Sequence, residues 1–242
     1  MSALFNKLPS LVTIFLLWSP ALLLAELGRR LLRQCHIRRQ RGSEGERQVA
    51  AALKRLRRPV LHDILITDGR GGLTQIDHVL HMPGGLLALE TKNYRGDILG
   101  HADAAHWTQR LGTRRFSLPN PLWQNAGHVR ALQRLLPDVP VWGWVVFTDR
   151  ARFIDERPEG VSSLAELSAD LRPLLALPVN ARVASAWRRL RQAARRDRAA
   201  RRAHLAQLRQ RHGRDRHERL GLLLLASAGI WTGAVAVLAL LR

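Results

Sequence analysis

Hydrophobic residues along the chain follow two patterns. Long apolar runs without charged side chains cover residues 8–25 and 220–241. Between them, some apolar residues form short runs bounded by Gly, Pro and polar residues, which is typical of β-strands, and others recur at spacings of three and four, which is typical of helices. The middle of the chain is therefore predicted to fold into a sheet with helices, and the two ends into apolar helices.

The order of these elements predicts the fold class. The predicted strands cover residues 59–66, 76–80, 86–92, 96–101, 107–111, 114–118 and 139–148. The predicted helices cover residues 42–58, 120–136 and a short stretch that ends near residue 175. Strands rich in Val, Ile and Leu that alternate with helices indicate an α/β fold, with a mixed sheet flanked by helices.

A predicted hairpin lies at the centre of this pattern. The apolar run 76–80 is followed by a Pro-Gly-Gly turn and by a second run that ends in Glu90-Thr91-Lys92. Side chains alternate between the faces of a strand, so Glu90 and Lys92 point the same way, and Asp77 can meet them from the neighbouring strand. Two carboxylates suit Mg²⁺, and an ammonium group can position a water or stabilise charge on a phosphate.

Several blocks of sequence around this hairpin resemble the nuclease-related domain (NERD) family, a branch of the PD-(D/E)xK nuclease superfamily. In chain order they are Gly42-x-x-Gly45-Glu46, Gln75-Ile76-Asp77-His78-Val79, Glu90-Thr91-Lys92-Asn93-Tyr94-x-Gly96, Trp107 and Asn120-Pro121-x-x-Gln124-Asn125. The resemblance covers residues 42–147, a little under half of the chain. Ile76 stands where the superfamily has the proline of its "PD" motif.

The resemblance implies a restriction-endonuclease-like fold and hydrolysis of phosphodiester bonds, with Mg²⁺ or Mn²⁺ as the cofactor and DNA as the substrate. It implies that Asp77 and Glu90 hold the metal ion, which polarises the phosphate and lowers the pKa of a bound water. Lys92 would orient that water or stabilise the charge of the transition state. The alternative is a non-catalytic module that retains the fold and binds nucleic acid or lipid.

Glu46 and Gln124 each have two interpretations. The resemblance makes both of them supporting residues of the catalytic site. From the residues alone, Glu46 can instead form a capping box with Ser43 at the start of the helix predicted over 42–58. Gln124 shares one face of the helix 120–136 with His128, where it can also be an ordinary solvated side chain. His78 and His128 lack a metal-binding spacing, so each is predicted to be a structural or surface residue.

The formal net charge of +20 favours a polyanionic partner, either nucleic acid or anionic lipid. Nearly all cations are Arg, and Lys92 is one of only three Lys residues. Residues 182–219 contain 14 Arg and are predicted to form a long basic helix. Three roles are open for this segment, residues 180–219. It can bind nucleic acid as an arm that adds affinity while the catalytic residues lie elsewhere, or bind anionic lipid through Arg182–Arg219. It can also be a solvated helix without a partner.

The terminal apolar runs predict membrane segments. The 22 uncharged residues 220–241 would span about 33 Å as a helix, enough for a bilayer, and contain the helix-contact pattern Gly229-x-x-x-Gly233. Residues 1–28 are predicted to be a membrane segment as well, with a cleaved signal peptide as the alternative. Arginines flank both runs on their inner sides, which predicts a nuclease-like domain, residues 42–178, on the cytoplasmic face of the inner cell membrane.

Overall fold

The structure is a computed structural model that describes residues 11–213 and 215–240. These residues form a mixed α/β architecture with two β-sheets. They divide into two compact units, one of residues 41–211 and one of the described residues up to Gln40 and from His212 onward.

The helices and strands are numbered here in chain order. The helices are α1 (Leu11–Arg55), α2 (Pro121–Leu135), α3 (Leu167–Asp170), α4 (Arg172–Leu175), α5 (Val183–Ala193), α6 (Arg198–His212) and α7 (Arg216–Leu240). The strands are β1 (Val60–Thr67), β2 (Leu73–His81), β3 (Leu86–Lys92), β4 (Gly96–Leu99), β5 (His106–Leu111), β6 (Arg114–Pro119), β7 (Val141–Phe147), β8 (Ala151–Phe153) and β9 (Val161–Ser163). All of the predicted strands are present.

The larger sheet has the strand order β1-β2-β3-β7-β9. Strands β1, β2 and β3 run antiparallel, and β3, β7 and β9 run parallel, so the sheet is mixed as predicted. The predicted hairpin is β2–β3, closed by a hydrogen bond of 3.0 Å from Met82 N to Gly85 O. Both faces are covered: α2 and α5 pack on one, and α1 and α3 on the other.

The smaller sheet has the order β6-β5-β4-β8, and its core contains the Trp107 of the family pattern. The Trp107 ring is 1% exposed and stacks on Phe147 at 5.9 Å between ring centroids. Gly100 makes room for it, since a Cβ on Gly100 would lie 2.1 Å from the indole. Trp107 therefore supports the fold rather than the chemistry.

The helix predicted over 42–58 does not begin at Ser43. Helix α1 runs without interruption from Leu11 to Arg55, so Ser43 lies inside it. The predicted capping box with Glu46 is therefore wrong. The preceding residues, rich in Leu, Arg and Gln, are good helix formers, and the single Gly42 is too weak a breaker to end the helix.

The basic segment is not one long helix. It forms α5 and α6, which are separated where Arg195 pairs with Leu65 of β1 through backbone hydrogen bonds of 2.9 and 3.0 Å. Asp197 then starts α6 by accepting a hydrogen bond from Ala200 N at 2.8 Å. In α5, Val183, Trp187 and Leu190 are buried in the same core as β1, β2 and α2. The compact unit thus extends beyond the predicted end at residue 178, as far as Arg211.

In the described part of the chain, α7 is the helix that is long and apolar enough to cross a membrane. The membrane segment predicted for residues 1–28 lies partly outside the described residues, and its described part belongs to α1. In the unit that contains the described residues up to Gln40 and from His212 onward, helices α1 and α7 are in contact at Gly28. A Cβ added to Gly28 would lie 2.8 Å from Gly221 O. Gly229 and Gly233 form the predicted helix-contact pattern, but no described atom lies within 4 Å of a Cβ added to either of them.

Candidate active site

Asp77 and Glu90 occupy the point where the β2–β3 ladder ends. The last regular pair is His78 opposite Leu89, and one step further Asp77 would stand opposite Glu90. There the Thr91 N–H donates instead to the Asp77 side chain, with 2.8 Å between N and Oδ2. Residues that face each other across antiparallel strands project to the same side, so both carboxylates lie on one face. The strand register thus explains why Asp77 and Glu90 lie close together, as the sequence predicted.

Glu90, Lys92 and Gln124 form a closed ring of hydrogen bonds. Lys92 Nζ donates to Glu90 Oε1 at 2.7 Å and to Gln124 Oε1 at 2.8 Å. The Gln124 amide donates to the same Glu90 oxygen at 2.7 Å. The side chains of Glu90 and Lys92 are only 5% and 14% exposed, so this ion pair is shielded from water and fixed in position. Gln124, predicted as a supporting residue or a solvated one, belongs to the ring.

His128 also contacts the site, although its spacing predicted a structural or surface role. Its Nε2 lies 3.3 Å from Glu90 Oε2, and its Nδ1 lies 3.0 Å from Thr74 Oγ1. One feature of the sequence could have predicted this contact: His128 follows Gln124 by four residues, which places both side chains on one face of α2.

Negative charge accumulates in this site. Burial, and then the neighbouring Glu90 carboxylate, raise the pKa of Asp77 well above its usual range. Burial, Asp63 and Glu90 likewise raise the pKa of Glu46. Burial also opposes the charge of Glu90, but His128 and Lys92 outweigh it and lower the pKa of Glu90. The buried carboxylates of Asp77 and Glu90 therefore lie beside a single ammonium group, that of Lys92, and a bound cation would reduce the repulsion between them.

The remaining residues of the family pattern position the site. Asn125 Nδ2 donates to Ala88 O at 3.1 Å and to Trp144 O at 3.0 Å, which ties α2 to β3 and β7. Asn120 caps α2 by accepting from Leu122 N at 2.9 Å. These bonds fix the first turns of α2, and so the place from which Gln124 reaches Glu90.

Asn93 fixes the end of β3 immediately after Lys92. Its amide donates to Arg41 O at 2.6 Å, and its oxygen accepts from Thr148 Oγ1 at 2.8 Å. Gly45 permits this approach, because a Cβ there would lie 2.7 Å from Asn93 Cβ. The glycine and the asparagine of the pattern thus bring α1, and with it Glu46, to the edge of the sheet where Asp77 and Glu90 lie.

A cavity of about 260 Å³ adjoins Asp77. It is lined by Ser43, Glu46, Arg47, Ala50, His62, Asp63, Asp77 and His78. His62 and His78 meet there with 2.8 Å between their Nδ1 atoms, and burial lowers the pKa of His78 to about 3. His78 is therefore neutral at physiological pH. Sequence reasoning did not identify Asp63 or His62, because nothing local marks them.

The donor set fits a hard divalent cation. The described residues contain no group of three or more His, Cys, Asp and Glu side chains arranged around one metal position. Mg²⁺ is commonly held by one or two carboxylates, with waters and substrate phosphate completing the shell. Asp77 accepts one protein hydrogen bond in the described structure, from Thr91, which leaves most of its lone pairs for a cation and its waters.

Comparison with family models finds a match over the part of the chain that contains the site. Residues 41–148 match the family model of the nuclease-related domain, the family that the sequence blocks resemble. The general assignment of that domain is to the PD-(D/E)xK superfamily.

An uncharacterized protein of Bacillus anthracis is 36% identical to the chain over 104 residues, which cover 42% of this chain and 49% of that protein. The chain thus spans about half the length of this curated relative. No solved structure matches the chain.

Proposed function

We propose that this protein is a membrane-anchored, Mg²⁺-dependent nuclease that hydrolyses phosphodiester bonds in DNA. The observation that carries the proposal is the buried ring of Glu90, Lys92 and Gln124 beside Asp77. Burying this many charges is costly unless they share a task. The NERD domain supports a nuclease-related function for exactly the part of the chain that contains them.

Asp77 and Glu90 would hold the cation, which supplies a polarised phosphate and a water of lowered pKa when bound. Lys92 uses two of its three N–H donors within the ring, which leaves one donor for a water or a phosphate oxygen. Gln124 holds both members of the ion pair in place, and His128 flanks the second oxygen of Glu90. Each of these groups is positioned before substrate arrives, as electrostatic catalysis requires.

The charge of the chain supports a polyanionic substrate. The excess of Arg attracts phosphate groups without reading bases, so it favours affinity over sequence preference. Lipid headgroups share this chemistry, and a protein that binds DNA or anionic vesicles without cleaving DNA would instead be the non-catalytic module.

Magnesium binding tests the proposed site. Asp77→Asn retains an acceptor for the Thr91 amide but removes a carboxylate charge, so we expect Mg²⁺ and Mn²⁺ affinity to fall at least tenfold, roughly the loss seen when a supporting metal-site residue is changed. Nuclease activity should fall with it. Isothermal titration of the purified full-length protein measures the affinity, and a DNA cleavage assay with and without chelator measures the activity.

Asp170→Asn is the matched control, because Asp170 lies in α3 and accepts from Ser162 Oγ at 2.5 Å, outside the ring. Equal metal affinity in wild type and Asp77→Asn would contradict the assignment. Wild-type protein that binds Mg²⁺ without cleaving DNA would favour the non-catalytic alternative.

Membrane anchoring through α7 is supported by its exposed apolar side chains, including Leu222, Leu223 and Ile230. Arginines before this helix favour a cytoplasmic position for the NERD domain. We expect a cysteine introduced by Asp155→Cys, in a Cys35→Ser background, to resist an impermeant maleimide in intact cells and to react after lysis. A cysteine introduced by Arg242→Cys should react in intact cells, and the reverse pattern would refute this orientation.

A further inference from the structure

Arg201 of α6 reaches the edge of the catalytic cavity. Its Nη1 forms an ion pair with Asp63, 2.8 Å from Oδ2, and Asp63 lines the cavity together with Glu46 and Asp77. Arg201 is close enough to Glu46 to favour its charged form, against the burial that opposes it. One arginine of the basic segment therefore lies within the electrostatic range of the active site.

Asp63 has an unusual backbone conformation. Its φ of 50° is in the left-handed region, which costs free energy for a residue with a side chain. The regular β1–β2 pairing skips it: His62 pairs with His78 and Ile64 with Ile76, while Asp63 and Asp77 form no pair. Leu61 and Ile64 consequently pack in the same core although they are three residues apart. This kink directs Asp63 to the cavity.

Helix α6 is held firmly beside the site. Gln207 accepts from Leu73 N at 2.8 Å and donates to Leu73 O at 3.3 Å, and His204 Nδ1 lies 3.0 Å from the same carbonyl oxygen. Arg211 pairs with Asp68 at 3.2 Å. Leu73 begins β2, the strand that carries Asp77. These contacts therefore attach α6, and with it Arg201, to a strand that forms the active site.

We propose that Arg201 binds a phosphate of the nucleic-acid substrate at the mouth of the cavity, and that Asp63 holds its guanidinium in place until the substrate replaces it. Both side chains of the pair are partly exposed, at 44% for Arg201 and 35% for Asp63, so a backbone phosphate can reach the guanidinium. Gln75 donates to the other oxygen of Asp63 at 2.9 Å and keeps the carboxylate oriented after the exchange. The inference rests on the proposed nuclease function and adds a specific substrate contact to it.

This exchange has physical support. A guanidinium forms bidentate, charge-assisted bonds with phosphate, and an exposed ion pair with a carboxylate is weak enough to be given up. Without such a contact, the carboxylates Glu46, Asp63 and Asp77 would repel an incoming polyanion. A guanidinium at the margin of the acidic cavity attracts the phosphate and offsets this repulsion, and the cavity itself remains free for the cation.

A double-mutant cycle with Arg201→Ala, Asp63→Asn and the double variant tests the proposal. Binding of a fluorescein-labelled DNA duplex to the full-length protein is measured by anisotropy with chelator present, so that no hydrolysis occurs. We expect Arg201→Ala to weaken binding several-fold and to reduce the salt slope of log K by about 0.9, the value for one phosphate contact. Asp63→Asn should tighten binding more in the wild-type background than in the Arg201→Ala background, because without the guanidinium it only removes the repulsion of one carboxylate.

Arg209→Ala is the matched control, since Arg209 is exposed on the same helix and the charge change is identical. An effect of Arg209→Ala as large as that of Arg201→Ala would overturn the proposal in favour of general electrostatic attraction. So would a gain from Asp63→Asn that is equally large with and without Arg201, or a wild-type protein that does not bind DNA. Arg201→Lys, which keeps the charge, replaces Arg201→Ala if thermal melting shows that the alanine variant is unfolded, and we expect it to bind more weakly than wild type.

The result is separable from the test of the nuclease function. Wild-type protein that binds DNA through Arg201 but never cleaves it would uphold this contact and refute the proposed activity. Cleavage that is unchanged in rate and in substrate affinity by Arg201→Ala would refute the contact and leave the activity standing.

Discussion

Replacing Lys92 with alanine is expected to reduce the rate of DNA cleavage at saturating substrate by about 10²–10⁴-fold, the range for loss of a positioned proton-transfer or charge-stabilising group. The Lys92 ammonium donates to both Glu90 and Gln124, so its removal takes away the cation of the site and opens the ring. DNA affinity and its salt dependence should change little, because one buried ammonium contributes little to a chain of charge +20. Steady-state cleavage kinetics and anisotropy measure the two quantities.

The same substitution leaves the buried Glu90 carboxylate without its ammonium partner. Breaking a buried ion pair in this way lowers the free energy of unfolding by about 3–5 kcal/mol. Thermal melting must therefore accompany the kinetics, and Lys92→Ala/Glu90→Gln tests whether removal of the orphaned charge restores stability. Lys54→Ala is the matched control, since Lys54 is exposed on α1. Undiminished cleavage by a folded Lys92→Ala variant would remove Lys92 from the mechanism.

Deleting residues 183–211 is expected to unfold the NERD-containing unit rather than merely to weaken its binding to DNA. Val183, Ala186, Trp187 and Leu190 are buried against the sheet, and α6 is bonded to the backbone of Leu73. Losing one large buried side chain typically costs about 3–5 kcal/mol, and a domain has only about 5–15 kcal/mol in total. Circular dichroism of the deletion variant should show no cooperative melting transition.

A pair of tryptophan variants tests the reason for this effect. Trp187→Ala should lower the free energy of unfolding by about 3–5 kcal/mol, because the ring is 9% exposed and lies in the core. Trp123→Ala should change it little, because that ring is 53% exposed. A deletion variant that melts like the wild type would restore the view of residues 180–219 as a detachable arm.

Helix boundaries show where sequence reasoning reached its limit. The pattern around Gly42 and Ser43 has every local feature of a helix start, and yet α1 passes through it. Val183, Trp187 and Leu190 recur at helical spacing, but the surrounding arginines left open whether this helix enters the core or lies on a polyanion. For α1 the helix propensity of the residues before Gly42 outweighs the start signal. For α5 the deciding contacts come from distant parts of the chain, which periodicity does not encode.

The sequence by itself determined seven of the strands but not the short β8 and β9, and it determined the central hairpin, the apolar C-terminal helix and the residues that meet at the hairpin end. These depend on local periodicity and on the two-residue repeat of a strand, which places Asp77, Glu90 and Lys92 together whatever surrounds them. Only the tertiary structure decided that His128 and Asp63 join the site, that the asparagines of the family pattern fasten α2 and β3, and that α6 lies beside the cavity. Such contacts join residues far apart in the chain, such as Asp63 and Arg201, which are 138 positions apart, and they arise from how the helices pack on the sheet.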